Sequence, residues 1–262
     1  MTDHTDHHAP EGLRTRGTVV VVPGRGETRT TYGRLAARLA ADAYRVRVVD
    51  APDLAAGGVE APDGTDFALA RFGSLLAEAV DGTTGSEGVR EPVVLLGADA
   101  GAAALAALLG RTGRLPGGRR PDAVVLAGLP GRTASGAGTW DEELDVRTSC
   151  PAHRGTLSGD TAVRRGSLGE ALPESLLAAA YDAELGVPAL FLVGDADPLA
   201  DRDALARTAK SLPRARLSVV RGAHHDVLND VQHRSVAAEI VSFLETLRDG
   251  LVPLVAVETS TW

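Results

Sequence analysis

Residues 93–105 read VVLLGADAGAAAL, and this stretch decides the fold. Residues 93–96 form an apolar run of the length expected for a strand that is buried on both faces. A Gly-Ala-Asp-Ala-Gly turn follows at 97–101, and an alanine- and leucine-rich run suited to a helix comes next. Two glycines around so short a turn let the strand and the helix approach closely. The pattern therefore predicts a strand, a sharp turn that carries Asp99, and a helix.

The same alternation of short apolar runs and longer helical patterns extends through most of the chain. It predicts an open, mostly parallel α/β sheet with helices on both faces. The other predicted strands are 18–22, 44–50, 122–127, 190–194 and 217–220, and the main predicted helices are 31–42, 67–80 and 230–248.

The alternation of strands and helices stops between residues 132 and 185, so that this segment separates two parts of the predicted core. We expect one α/β core made of 17–131 and 186–250, with 132–185 inserted into it. An insertion of that length, at the edge of the sheet where the Asp99 turn opens, predicts a lid that covers a site there. The polar residues 1–16 are expected to be a disordered tail. The apolar tail 251–262 leaves two alternatives open, an added strand or a homodimer contact.

Composition limits the partners of the protein. The formal net charge of −8 argues against nucleic acid. No apolar run reaches the roughly 18 residues that span a membrane, and the N-terminus lacks the pattern of a signal peptide. The single cysteine, Cys150, excludes an internal disulfide. We therefore expect a cytoplasmic protein that acts on a small-molecule substrate, with neither nucleic acid nor membrane as a partner.

Three polar positions follow three different predicted strands. Asp99 comes first, Asp197 lies in GDADP at 194–198, and His225 lies in GAHHD at 222–226. The carboxyl ends of parallel strands meet at one edge of a sheet, and ligands bind there. We therefore expect these three side chains to converge in one pocket, with His225 Nε2 near the Asp99 carboxylate.

This chain order resembles that of the α/β-hydrolase superfamily, in which a turn nucleophile is followed by an acid and then a histidine. The resemblance covers nearly the whole chain and is nearest to the monoacylglycerol lipase and lysophospholipase branch. The oxyanion loop of that branch reads much like PGRGE at 23–27, and its histidine segment much like GAHHDVLND at 222–230. Two positions depart from the branch. Asp99 stands where a serine is usual, and Pro23 stands where a histidine usually precedes the glycine.

The resemblance also implies roles for individual residues. Asp197 would be the triad acid and His225 the triad histidine. The backbone N–H groups of Arg25 and Ala100 would form the oxyanion hole. Further residues expected to contact the substrate are Gly24, Trp140 and Tyr181.

Other readings of the polar motifs are weaker. Gly-x-Gly at 24–26 could belong to a dinucleotide-binding turn, but Arg29 stands where the third glycine would be. The three histidines within residues 1–16 could bind a metal, but the tail that carries them is predicted to be disordered. We therefore expect neither a cofactor nor a metal. His153 is expected at the surface.

An aspartate at the turn changes the chemistry. Epoxide hydrolases and haloalkane dehalogenases of this fold use such an aspartate as a covalent nucleophile. This chain has one tyrosine in the insertion, and Ala100 replaces the tryptophan that follows the nucleophile of dehalogenases. Attack of Asp99 on an ester would give a mixed anhydride. A histidine between two carboxylates is favoured as imidazolium, so that Asp99 and His225 could instead act as base and acid.

The sequence thus predicts an α/β-hydrolase-fold enzyme that hydrolyses a small, largely apolar ester or acyl metabolite. Two alternatives stay open. One is a lyase that eliminates a carboxylate, such as acetate, from an acylated compound of secondary metabolism. The other is a non-catalytic ligand-binding protein that keeps the pocket.

Overall fold

One sheet forms the centre of the molecule. The computed structural model describes residues 4–54, 64–84, 88–132, 138–256 and 258–260. The strands found in them are β1 (His4–His7), β2 (Gly17–Val22), β3 (Tyr44–Val49), β4 (Val93–Ala98), β5 (Ala123–Ala127), β6 (Ala189–Gly194) and β7 (Ala215–Val220). The α-helices are α1 (Gly33–Ala41), α2 (Gly64–Asp81), α3 (Ala100–Thr112), α4 (Trp140–Arg147), α5 (Pro151–Gly159), α6 (Glu174–Tyr181), α7 (Arg202–Ser211) and α8 (His233–Thr246).

The strand order places a crevice at the middle of the sheet. The order is β1-β3-β2-β4-β5-β6-β7, and every neighbouring pair except β1 with β3 is parallel. The chain leaves β2 towards one edge of the sheet and leaves β4 towards the other. Ligands of open α/β sheets bind where the strand order reverses in this way. The loop after β2 and the turn after β4 therefore meet at the expected site.

Helices cover both faces of the sheet, because successive side chains of a strand point to opposite faces. Val20 and Val22 pack with α2, α3, α6 and α7, whereas Val19 and Val21 pack with α1 and α8. The predicted α/β sheet with helices on both faces is confirmed. Each predicted strand is present, with ends that differ from the prediction by at most two residues.

The prediction of a disordered N-terminal tail is wrong for residues 4–7. They form β1, which pairs with β3 along the edge of the sheet. Arg47 of β3 donates hydrogen bonds of 2.6 Å from Nε and Nη2 to the two carboxylate oxygens of Asp6. An unpaired edge strand exposes its backbone N–H and C=O groups, and β1 covers them. The sequence signal for β1 is the charge complementarity between Asp6 and the arginines of β3.

The insertion contains α4, α5 and α6 and packs on the side of the sheet where the crevice opens. Leu144, Leu157 and Val163 form a small apolar core of their own, against which Trp140 packs. α6 packs on α3. The lid stays a prediction. Parts of the predicted segments lie outside the described residues, namely 1–3, 257 and 261–262 of the tails, 55–63 and 85–87 of two loops, and 133–137 of the insertion.

The described part of the C-terminal tail contains no strand, and Val252, Leu254 and Val255 in it are exposed. The homodimer therefore stays a prediction. Within the described residues, every helix is either too short or too polar to cross a bilayer.

Replacing Gly101 by alanine is expected to lower the free energy of unfolding by about 1–3 kcal/mol. A Cβ atom at Gly101 would lie 2.6 Å from the carbonyl oxygen of Pro23 and 2.7 Å from that of Val22. Both contacts are with backbone, so that α3 would have to move away from β2. Gly155 of α5 is the matched control, because a Cβ atom there meets nothing within 4 Å. Urea unfolding should show Gly155→Ala to be stabilising by about 0.5–1 kcal/mol, and equal effects at the two positions would contradict the packing argument.

Candidate active site

The turn between β4 and α3 presents Asp99 in a strained backbone conformation. Its φ and ψ are 46° and −117°, a combination that costs about 1–3 kcal/mol for a residue with a side chain. Glycines on both sides make the turn feasible, since a Cβ atom at Gly97 would lie 2.7 Å from backbone atoms of Gly101. The Asp99 side chain is buried, with 3% of the residue exposed. Strain at one buried acidic residue is a feature of functional sites.

His225 lies between two carboxylates. Asp197 follows β6 and His225 follows β7, so both come from carboxyl ends of neighbouring strands. His225 Nδ1 is 3.1 and 3.0 Å from the two carboxylate oxygens of Asp197. His225 Nε2 is 3.1 Å from Asp99 Oδ1. The structure therefore brings together the three side chains that the sequence placed in one pocket.

The charges around His225 favour its protonated form. Burial lowers the pKa of His225, but the Asp197 and Asp99 carboxylates outweigh burial and raise that pKa to about 10. Burial raises the pKa of Asp99, but the Arg25 charge and the hydrogen bonds from His225 and Arg25 hold it well below its usual range. At neutral pH the site therefore holds an imidazolium next to an ionised carboxylate, which are an acid and a base in direct contact.

The side chain of Arg25 is the site component that the sequence analysis missed. Its backbone N–H donates to Asp99 Oδ2 over 2.8 Å, and its Nε and Nη2 donate to Oδ2 and Oδ1 over 2.9 and 2.8 Å. Together with His225, four donors occupy the Asp99 carboxylate, which offers about four acceptor positions. The Arg25 N–H, predicted to face the substrate as part of an oxyanion hole, faces Asp99 in this structure. The sequence feature that could have predicted this contact is an arginine in the loop after β2 together with an aspartate on the turn after β4.

The Arg25 side chain also hydrogen-bonds the loop after β2 to the insertion. Its Nη1 donates to the backbone carbonyls of Leu168 and Glu170. The Arg164 N–H donates to the carbonyl of Gly26 over 2.9 Å, and a Cβ atom at Gly26 would lie 2.1 Å from Ser167 Oγ. The segment 164–170 therefore packs directly on loop 24–27.

An open cleft of about 560 Å³ lies beside this arrangement, within the size range of small-molecule sites. Ala100 begins α3, so its N–H has no acceptor within the helix and is available at the cleft. Both apolar and charged residues line the cleft. The lining residues include Gly24, Arg25, Glu27, Asp53, Leu54, Ala100, Arg164, Glu170 and Leu172.

Two of the predicted substrate contacts do not reach this cleft. Trp140 stacks against Arg165, with the guanidinium carbon 5.1 Å from the ring centroid, and donates its indole N–H to Ser158. Tyr181 lies at the end of α6 and donates its hydroxyl to the carbonyl of Pro130 over 3.2 Å. Contact of Trp140 and Tyr181 with the substrate stays a prediction, because both rings lie outside this cleft and bind to groups of the insertion and of the loop after β5.

A second buried charge cluster lies under loop 24–27. His153, predicted at the surface, is 1% exposed, and its Nε2 is 2.8 Å from Asp226 Oδ2. Arg147 pairs with Glu143 at 2.9 Å and with Asp226 at 3.5 Å, and it donates to the carbonyl of Arg25 over 2.8 Å. The cluster therefore supports the loop that carries Arg25.

Glu27, His153 and Asp226 could in principle hold a metal ion, because one ligand atom of each lies within 4.8 Å of the others. Burial and the Asp226 charge raise the pKa of Glu27 to about 7. Asp226 is already bonded to His153 and paired with Arg147. The Arg147 guanidinium therefore already supplies the positive charge that a metal ion would bring to the Asp226 carboxylate. The absence of a metal stays a prediction.

Residues 14–232 match the family described as serine aminopeptidase, S33 (Hydrolase_4). The chain belongs to this family. It is a hydrolase of the α/β-hydrolase superfamily, as the chain order of Asp99, Asp197 and His225 led us to expect. A comparison with curated protein sequences found no match.

Solved structures of several other hydrolases share the fold of this chain. A monoglyceride lipase from Saccharomyces cerevisiae is 16% identical, with a TM-score of 0.69 over 93% of this chain and 91% of that chain. The monoacylglycerol lipase of Paleococcus ferrophilus is 19% identical, with a TM-score of 0.66 over 94% and 99%. The carboxylesterase CesB of Bacillus subtilis is 13% identical, with a TM-score of 0.63 over 93% and 88%. At these identities the likeness establishes the α/β-hydrolase fold.

The position of His225 predicts a specific loss of stability at alkaline pH. A histidine whose pKa rises from 6.5 to about 10 on folding adds stability that is fully present below pH 6.5 and is lost as pH rises through 10. The free energy of unfolding of the wild type should therefore fall between these values. Chemical denaturation at a series of pH values tests this, and His225→Gln should remove that part of the slope. An imidazole that NMR finds neutral at pH 8 would contradict it.

Proposed function

We propose that this Hydrolase_4 member hydrolyses the ester or a related acyl bond of a small, largely apolar metabolite in the cleft beside Asp99. The observation that carries the proposal is the placement of His225 between Asp99 and Asp197, at 3.1 and 3.0 Å. Asp197 orients the imidazole through Nδ1, so that Nε2 carries its proton towards Asp99. No cofactor and no metal enters the proposed reaction.

The charge states favour Asp99 as a base rather than a covalent nucleophile. A protonated His225 cannot remove a proton from the water that would have to hydrolyse a covalent Asp99 intermediate, but it can donate a proton to a leaving group. The ionised Asp99 can accept a proton from water once one of its oxygens is released. A positioned acid and base typically accelerate a reaction by about 10²–10⁴-fold.

The proposed hydrolysis balances without a further reactant. Asp99 takes a proton from water while the water oxygen bonds to the acyl carbon, and the carbonyl electrons move to the carbonyl oxygen. The N–H groups of Arg25 and Ala100 stabilise that oxyanion. The carbonyl then re-forms, the bond to the alcohol oxygen breaks, and that oxygen takes the proton of His225 Nε2. Asp99 returns its proton to His225, so that one water is consumed and an acid and an alcohol leave.

The solved structures support an ester as the substrate class, because they are monoglyceride or monoacylglycerol lipases and a carboxylesterase. The cleft supports a small substrate, and Leu54 and Leu172 in its wall support an apolar part. The proposed partner is therefore a small molecule, and we propose neither nucleic acid nor a membrane as a partner.

Neighbouring histidines provide a matched test. We expect wild-type protein to hydrolyse short-chain para-nitrophenyl esters, and His225→Gln to lower kcat by about 10²-fold or more. His224 is the control, because it is partly exposed and bonds to Asp230 at 2.9 Å rather than to Asp99. His224→Gln should retain the activity.

Three results would overturn the proposal. Activity that survives in His225→Gln would place the reaction elsewhere. Saturable binding of acyl compounds without turnover would favour a ligand-binding protein. Release of a carboxylate together with an alkene, rather than an alcohol, would favour the carboxylate-eliminating lyase on the same acid–base pair.

A further inference from the structure

The acid–base pair and the oxyanion donor are engaged with each other in this structure. Asp99 Oδ2 accepts from the backbone N–H of Arg25, where a substrate oxyanion would have to bind. Asp99 Oδ1 accepts from both Arg25 Nη2 and His225 Nε2. Asp99 therefore cannot accept a proton from water, and the Arg25 N–H cannot stabilise an oxyanion, until the two residues separate.

Separation of this pair is unfavourable unless Arg25 gains a new partner. The side chains of Arg25 and Asp99 are 6% and 4% exposed, and their guanidinium and carboxylate are 2.8 Å apart. Breaking a buried ion pair leaves an uncompensated charge that water cannot solvate. A neutral ester offers Arg25 no counter-charge. A second carboxylate does, because a guanidinium binds carboxylates through two parallel hydrogen bonds.

We propose that the substrate carries a free carboxylate, and that this carboxylate replaces Asp99 on the Arg25 guanidinium. The inference rests on the proposed function and adds a substrate class to it, an ester whose acyl part ends in a carboxylate. The incoming carboxylate releases Asp99 as the base and the Arg25 N–H as the oxyanion donor in one exchange. The enzyme is then most active when its acidic substrate is bound, and a neutral ester reacts more slowly because it leaves Asp99 paired with Arg25.

The cleft gives a carboxylate access to Arg25. Arg25 lines the cleft itself, next to Ala100. The other charged groups of the lining are Glu27, Asp53, Arg164 and Glu170. Arg164 and Glu170 pair with each other at 2.8 Å, and burial raises the pKa of Glu27 to about 7. Arg25 therefore borders the cleft as a positively charged residue whose carboxylate partner at present is the enzyme's own Asp99.

The exchange also changes the basicity of Asp99. The Arg25 charge is a main reason why the pKa of Asp99 is low, so that its transfer to the substrate carboxylate raises that pKa. Asp99 becomes a stronger base at the moment when its oxygens are freed. Substrate binding and activation of the base are thereby coupled through one side chain.

A matched pair of methyl esters tests the inference. Monomethyl succinate and methyl butyrate differ by a carboxylate in place of the terminal methyl group. We expect the wild type to hydrolyse monomethyl succinate with a kcat/KM about 30-fold or more above that of methyl butyrate. Arg25→Gln should abolish this preference. The control is Arg47→Gln, which removes another buried arginine bonded to an aspartate and should keep it.

Binding provides a readout that does not depend on turnover. Succinate should bind the wild type saturably and shift the His225 imidazole signals in NMR, and Arg25→Gln should abolish this binding while Arg25→Lys retains part of it. Hydrolysis of both esters without a preference, or a preference that survives Arg25→Gln, overturns the inference and leaves the proposed function standing. Hydrolysis of neither ester contradicts the proposed function. In that case succinate binding through Arg25 still supports the carboxylate site, and its absence overturns it.

Discussion

Replacing Asp99 by asparagine is expected to lower turnover by about 10²–10⁴-fold, the usual contribution of a general base. Asparagine has nearly the same shape but cannot accept a proton from water. The change also removes one of the two negative charges beside His225, so the pKa of His225 should fall from its raised value of about 10. Ester hydrolysis and NMR titration of the His225 imidazole measure the two effects on the same variant.

The control for Asp99→Asn is Asp195→Asn. Asp195 lies in the same turn as Asp197, but it is exposed and accepts a hydrogen bond from the N–H of Gly222. Its replacement should leave turnover and the His225 titration unchanged. Unchanged turnover in Asp99→Asn would make the Asp99 carboxylate a bystander. Lost turnover with an unshifted His225 would separate Asp99 from His225 and contradict the paired acid–base mechanism.

Replacing Arg147 by methionine is expected to destabilise the protein by about 3–5 kcal/mol, the cost of removing one partner of a buried ion pair. The Arg147 and Glu143 side chains are 1% and 0% exposed. Without the guanidinium, the carboxylates of Glu143 and Asp226 stay buried with less positive charge near them. The carbonyl of Arg25 also loses one of its two donors and keeps only the Ser167 hydroxyl. Urea unfolding should give a lower midpoint, and loop 24–27 should become less protected from hydrogen exchange.

Arg154→Met is the matched control for Arg147→Met. Arg154 pairs with Asp145 at 2.6 Å, but its side chain is 31% exposed and that of Asp145 is 74% exposed. Ion pairs of this kind contribute about 0–1 kcal/mol. Similar unfolding midpoints for the two variants would show that the buried cluster under loop 24–27 contributes no more to stability than a surface pair.

Most strands of the sheet and the three central residues of the site could be predicted from the sequence. The strands of the parallel sheet are buried apolar runs that end at turns, so residues 93–96 were recognisable without tertiary information. Asp99, Asp197 and His225 were predictable as neighbours because each follows a parallel strand. Parallel strands present their carboxyl ends at one edge, and the order of the motifs along the chain then resembles that of a catalytic triad.

The features that the sequence did not reveal depend on contacts between distant segments. The backbone N–H of Arg25 could be expected at the site from its loop, but the direction of its side chain depends on Asp99. The α4 sequence WDEELDVR looks like a solvated helix, yet Glu143 and Arg147 in it are buried because they neutralise each other and Asp226. β1 is a polar stretch that pairs with the edge of β3, and its Asp6 binds Arg47 of that strand.

The central claim is that Asp99 acts as a base for water and that the substrate is hydrolysed. It is tested most directly by a single turnover of monomethyl succinate, with enzyme in excess, in heavy-oxygen water. Mass spectrometry then follows the label in the acid product and in tryptic peptide 91–111, which contains Asp99. Our account predicts label in the acid product and none in the peptide. Label in the peptide would make Asp99 a covalent nucleophile, and an acid product without label would show that the bond between the ester oxygen and the methyl carbon breaks instead of the acyl bond; either result would contradict the proposed reaction.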